Sequence, residues 1–92
     1  MHFQLIHILK HEVQTPRRLS RAAVETLAIV AYHQPVTRGE IEEIRGVSIS
    51  KGTLDLLIET GWVRLAGRRQ TPGRPVTYRI TDGFLEHFGL ED

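Results

Sequence analysis

Arg64, Arg68, Arg69, Arg74 and Arg79 fall between Gly61 and Ile80, a stretch that holds no Asp or Glu. Guanidinium groups are permanently charged and fork-shaped, so several on one exposed segment can neutralise phosphates along a nucleic-acid backbone. An exposed hairpin kept soluble by arginines would look the same, and both readings stay open. The segment just before it is poorly equipped to read bases. Base edges are recognised chiefly by Arg, Lys, Asn or Gln, whereas Lys51–Thr60 offers Lys51, Asp55 and Glu59, with no Arg, Asn or Gln. Ser48, Ser50 and Thr53 can touch phosphates but specify little. Leu56 stands opposite Leu54, Leu57 and Ile58 at helical spacing, which suits a protein contact. Single exposed leucines are also common.

No combination of side chains spells an active site. Gly46-Val47-Ser48-Ile49-Ser50-Lys51-Gly52-Thr53 has the look of a phosphate loop, but Lys and Gly are transposed and no strand is expected before it. His7 and His11 lie four apart, yet two histidines without a third ligand make a weak metal site. His33 and His87 fall near helix ends, where a cation favours the dipole. There is no Gly-x-Ser-x-Gly string and no Cys nucleophile. The expectation is no catalytic, cofactor-binding or metal-ligating residue, and therefore no enzyme.

These residues sit in a chain of 92 residues, 40% hydrophobic and 25% charged, which suits one small globular domain. A formal net charge of +1 excludes a strongly basic coat while leaving room for a local patch. The absence of Cys excludes disulfides and thiolate metal sites, and fits a reducing setting. The longest unbroken apolar run, Leu27–Tyr32, is six residues, far short of a membrane span.

Caps and periods fix the elements. Residues 2–13 read as a helix at Leu5, Leu9 and Val13, followed by a linker at Thr15–Arg18. Leu19-Ser20 places a staple residue before an N-cap, predicting a helix over 21–33 that Gln34-Pro35 ends. Thr37 and Glu40 form a capping box, with Val36 and Ile41 as its staple, for a short helix over 38–45 stopped at Gly46. Ile41 and Ile44 are expected inside, and Arg38, Glu42, Glu43 and Arg45 in water. A third helix over 51–60 should bury Leu54, Leu57 and Ile58, with Gly61 and Trp62 closing it. Residues 62–66 and 76–80 alternate as a hairpin around a tip rich in Gly and Pro. Thr81 caps a last helix over 82–88, ended by Gly89, with Leu90 folding back on Leu85. Three helices, a hairpin and a trailing helix make an α+β, mostly α fold: a winged helix-turn-helix with a β-hairpin wing and a C-terminal helix. The run Leu27–Tyr32 is apolar on nearly every side, with Ile29 far from the Val24–Leu27–Ala28–Ala31 face, so that helix should be covered on more than one side.

Longer strings carry a resemblance. Leu19–Tyr32, Gln34-Pro35-Val36-Thr37-Arg38, Glu40–Val47, Ser50-Lys51-Gly52-Thr53-Leu54, the turn Pro72-Gly73-Arg74-Pro75 and the ending Phe84–Leu90 closely resemble the ScpB family, segregation and condensation protein B. Tyr78-Arg79-Ile80-Thr81 departs from that family's commoner Tyr-Gly-Thr-Thr. The resemblance covers about 16–90 and matches the second of the family's two tandem winged helices. It implies that 16–92 is a winged-helix domain. Residues 1–15 are then an N-terminal helix or the tail of a preceding winged helix, in a fragment of a longer protein.

The resemblance further implies a non-catalytic subunit of the bacterial SMC chromosome condensation and segregation complex, cytoplasmic and nucleoid-associated. Such a subunit binds the kleisin ScpA and, through it, SMC. It pairs with itself mainly through the family's first domain. The outward apolar residues Ile29 and Leu56, and the aromatic face of Phe84 and Phe88, are the candidates for partner binding. Arg64, Arg68, Arg69, Arg74 and Arg79 are the candidates for contact with a DNA backbone. The alternative function is a sequence-independent DNA-binding winged helix that uses the basic wing.

Overall fold

The computed structural model describes residues 19–89. The helix expected over 2–13, the linker Thr15–Arg18 and the Leu90 contact lie outside those residues.

Helix α1 (Arg21–His33) starts where Ser20 Oγ accepts the Ala23 N–H at 3.0 Å. That bond satisfies one of the first-turn amides that a helix leaves without a carbonyl. Ala23, Val24, Leu27, Val30 and Ala31 are buried, and Ile29 packs partly on the same core. Most of the apolar surplus of α1 is therefore covered within the domain, while Tyr32 stays 43% exposed. The Gln34 N–H returns to Val30 O, and the Gln34 side chain accepts the Ile80 N–H at 3.0 Å. The Gln34–Pro35 peptide is cis.

Strand β1 (Val36–Thr37) has no signature in the sequence. Two residues are too few to show an alternation, and Thr37 is also the cap of α2 (Arg38–Arg45). The capping box forms in both directions. Thr37 Oγ1 accepts the Glu40 N–H at 3.1 Å, and Glu40 Oε1 accepts the Thr37 N–H at 2.9 Å. Gly46 then takes a left-handed φ of 83° and ends the helix.

Three expectations about α2 are corrected. Ile44 is 48% exposed, because an eight-residue helix buries one turn at Ile41 and its last turn runs past the core. The Arg45 side chain is only 12% exposed, held against Glu25 of α1 at 3.1 Å. Glu42 is half-buried, and Arg38, exposed as expected, also bonds the chain. Arg38 Nη2 donates to Ile49 O at 2.7 Å, and Glu42 Oε2 accepts the Ile49 N–H at 2.9 Å. This pair grips both polar groups of one residue and seats the Ile49 side chain in the core. A turn with no regular hydrogen-bond ladder is fixed in that way.

Helix α3 (Lys51–Thr60) buries Leu54 and Leu57. Ile58 is 36% exposed instead of buried. The buried stripe is narrow, and Ile58 lies about 100° beyond Leu57. The Trp62 N–H bonds Leu57 O at 3.1 Å and the Gly61 N–H bonds Ile58 O at 3.0 Å, closing the expected Schellman end.

Strands β2 (Val63–Arg68) and β3 (Val76–Ile80) form the hairpin, and β1 joins the other side of β3 in an antiparallel sheet of order β1-β3-β2. Val36 pairs Tyr78, Thr37 pairs Thr77, and Arg64 pairs Arg79. The register shifts between Leu65 and Arg68, so β2 extends past the expected Ala66 through a bulge. Gly67 takes φ 109° there. Helix α4 (Asp82–Phe88) is capped by Thr81 Oγ1, which accepts the Phe84 N–H at 3.0 Å and donates to Gly61 O. A Cβ on Gly83 would lie 3.3 Å from Gly61 O, a tight contact that the end of α3 would have to ease by a few tenths of an ångström. Phe84 and Phe88 meet in the core with ring centroids 4.9 Å apart and planes tilted by 45°, and Trp62 leans edge-on to Phe88 at 5.1 Å.

Candidate protein and phosphate interface

Two surfaces follow from this frame: the outer side of α3 and the wing made by β2, β3 and their tip. On α3, Asp55, Leu56, Ile58 and Glu59 are all exposed, Leu56 at 43%. The helix thus presents apolar carbons between carboxylates. Phosphates would be repelled from it, and a protein segment with apolar anchors would not. Ile58, expected inside, joins the outward Leu56 as exposed apolar surface. No signal in the sequence separates Ile58 from Leu54 and Leu57, since all three satisfy helical spacing.

The other partner-binding candidates are not outward. Phe84 and Phe88 are buried core residues, because α4 folds back over Trp62 and the end of α3. Their aromatic face closes the domain and is not presented for docking. Ile29 is half-buried and packed against the core. Of the four candidates, Leu56 alone keeps a large exposed area.

The wing arginines divide by geometry. Arg69 is turned inward: its Nη2 donates to Pro35 O and to Glu40 Oε1, each at 2.9 Å. This ties the wing to the start of α2 and withdraws Arg69 from the phosphate candidates. The link also acts on Glu40, whose carboxyl titrates below the ordinary glutamate range. The hydrogen bond from the Thr37 backbone is the larger cause, and the Arg69 guanidinium adds to it.

Arg64, Arg68, Arg74 and Arg79 have no carboxylate within ion-pair distance among the described residues. Arg64 and Arg79 are directly opposed across the β2–β3 ladder. At the tip, Arg68 Nη1 donates to Arg74 O at 2.7 Å. The tip itself is closed by the Arg69 N–H to Pro75 O and the Arg74 N–H to Thr71 O.

Among the described residues no three His, Cys, Asp or Glu side chains converge as metal ligands, and no helix is long and apolar enough to cross a membrane. His7 and His11 lie outside those residues. The loop-like Gly46–Thr53 string follows a helix and not a strand, with Gly46 serving as the end of α2.

Comparison with known proteins places this geometry. The family model described as segregation and condensation complex subunit ScpB matches residues 2–92. The segregation and condensation protein B of Moorella thermoacetica is 60% identical over 74 residues, which cover 80% of this chain and 37% of that protein. That of Desulforamulus reducens is 54% identical over 74 residues, covering 80% and 40%. The chain therefore spans about two fifths of the length of these curated relatives.

Among solved structures, ScpB from Mycobacterium tuberculosis superposes with a TM-score of 0.73 at 36% identity, covering 98% of this chain and 54% of that one. A conserved hypothetical protein from Chlorobium tepidum gives 0.74 at 46% identity, covering 89% and 52%. The multiple antibiotic resistance repressor MarR, at 21% identity and a TM-score of 0.63 over 95% of this chain and 69% of its own, shares the winged-helix fold alone. The match of the family model over residues 2–92 and this depth of identity give one conclusion: the chain belongs to the ScpB family of segregation and condensation complex subunits.

Proposed function

We propose that the chain serves as a non-catalytic part of the bacterial SMC chromosome condensation and segregation complex, cytoplasmic and nucleoid-associated, and that it binds the kleisin ScpA through exposed apolar surface on α3. The observation that carries this reading is Leu56, 43% exposed on the helix that a DNA-reading winged helix would use for bases. Apolar anchors in otherwise polar surroundings are what a docked protein segment uses. The near-balanced net charge of +1 gives little long-range electrostatic capture, so affinity must come from buried apolar contact. Family membership supports the complex, and the ATPase activity of that complex belongs to its SMC partner. Self-association in the full-length family runs mainly through the first winged helix. Isothermal titration of this chain with a peptide from the central region of ScpA tests the reading. Saturable binding is expected, and no heat at any accessible concentration would refute it.

A further inference from the structure

The hairpin has two unlike faces, because side chains alternate across a strand. Val63 pairs Ile80 and Leu65 pairs Tyr78, so these four share one face, and Arg64 with Arg79 takes the other. Beyond the bulge Arg68 pairs Val76, two residues from Tyr78 on β3, and so returns to the Leu65 face. Val63 is buried, which makes this the side on which the helices pack. Leu65 projects past them and is 57% exposed, more than any other large hydrophobic residue described. Its cross-strand neighbour Tyr78 is only half-buried. Arg68 is exposed beside this apolar pair, held to Arg74 O at 2.7 Å. Neither Arg68 nor Arg74 has a carboxylate within ion-pair distance among the described residues.

Helix α3 carries the converse surface. Asp55, Leu56 and Glu59 are exposed and lie within about 100° of one another around the helix. Among the described residues no basic side chain is within ion-pair distance of either carboxylate. Each surface thus joins one exposed leucine to two unmatched charges, and the signs are opposite. The dimensions also agree: ten residues of helix span about 15 Å, and six of strand about 20 Å. Only Gly61 and Trp62 separate the two elements.

We propose that the Leu65 face of the wing docks on the Asp55–Leu56–Glu59 side of α3 in a second copy of this chain, and reciprocally, so that two copies close as a two-fold pair. Each chain carries both halves side by side, which allows both contacts to form about one axis and ends the association at two. Nucleic acid fits neither the apolar Leu65 and Tyr78 nor the carboxylates of α3. An acidic protein segment would satisfy the wing and leave α3 unmatched, whereas a second copy satisfies both. The surfaces are small, so the pair is weak and exchanges quickly. It does not rest on the kleisin reading, with which it competes for Leu56.

The test is sedimentation equilibrium of the whole chain at low salt. A shift from monomer to dimer is expected with a dissociation constant between about 10 μM and 1 mM. Leu65→Thr, which suits a strand, and Leu56→Asp should each weaken pairing at least tenfold. The decisive arm exchanges charge. One variant carries Arg68→Glu with Arg74→Glu, and the other Asp55→Arg with Glu59→Arg. Each alone sets like charges against each other and should stay monomeric. Mixed in equal amounts they should pair, because both contacts of the mixed dimer are again complementary. Circular dichroism establishes that every variant is folded. The proposal is overturned by a parent chain that stays monomeric up to about 1 mM, by pairing that Leu65→Thr and Leu56→Asp leave unchanged, or by folded charge variants that fail to pair when mixed.

Discussion

Thr26 lies on the inward side of α1 with 0% exposure, and its hydroxyl has no hydrogen-bond partner among the described residues. A hydroxyl taken out of water without a partner costs about 1–3 kcal/mol. Thr26→Val replaces that oxygen with a methyl of nearly the same size, keeps the β-branch and leaves helix propensity almost unchanged. Ala23, Leu27 and Val30, its neighbours along α1, are buried and apolar. The expected result is a gain of about 1–2 kcal/mol, which for a domain of this size raises the melting temperature by about 4–8 °C per kcal/mol. Thermal and urea unfolding followed by circular dichroism reads both quantities. Thr26→Ala is the control: it removes the hydroxyl and a methyl together, so cavity loss should cancel the gain. A Thr26→Val protein less stable than the parent by 1 kcal/mol or more would show that the hydroxyl is bonded, and would refute the reasoning.

Further outcomes follow from the same frame. Leu57→Ala, at the buried centre of α3, should cost about 2–5 kcal/mol, read from the urea midpoint; an unchanged midpoint would remove Leu57 from the core. Glu40 is held below the ordinary glutamate range by the Thr37 backbone and Arg69, so it adds stability above that range and loses it as acid protonates the carboxylate. Glu40→Gln should therefore be less stable than the parent near neutral pH and equal to it in acid below the glutamate range. Parallel urea melts across pH test this, and a gap that persists in acid would contradict it.

The fold was legible where local chemistry is unambiguous. Ser20, Thr37 and Thr81 each cap a helix through the bond that their spacing implies, and Gly46, Gly61 and Gly89 each end one in the left-handed region. What escaped were the facts set by tertiary contact. Strand β1 exists only because β3 offers Val36 and Thr37 a free edge. Ile44 and Ile58 satisfy helical spacing, yet the helices that carry them bury a narrower strip than the period allows. Phe84 and Phe88 look alike whether an aromatic face docks a partner or closes a core, and only the fold-back of α4 decides. Arg69 is one of five arginines in sequence, and its difference arises from Glu40, 29 residues away. At the site, Leu56 was legible because its helical phase opposes the buried stripe so strongly.

Leu56 also gives the most direct measurement of the central claim. Titration calorimetry of a central ScpA peptide would be run against the parent chain and Leu56→Asp. Circular dichroism first shows the variant folded, as an exposed position predicts. Loss of one apolar anchor should weaken binding at least tenfold, about 1.4 kcal/mol. A folded Leu56→Asp chain that binds the peptide as tightly as the parent would contradict the assignment of α3 as the kleisin surface.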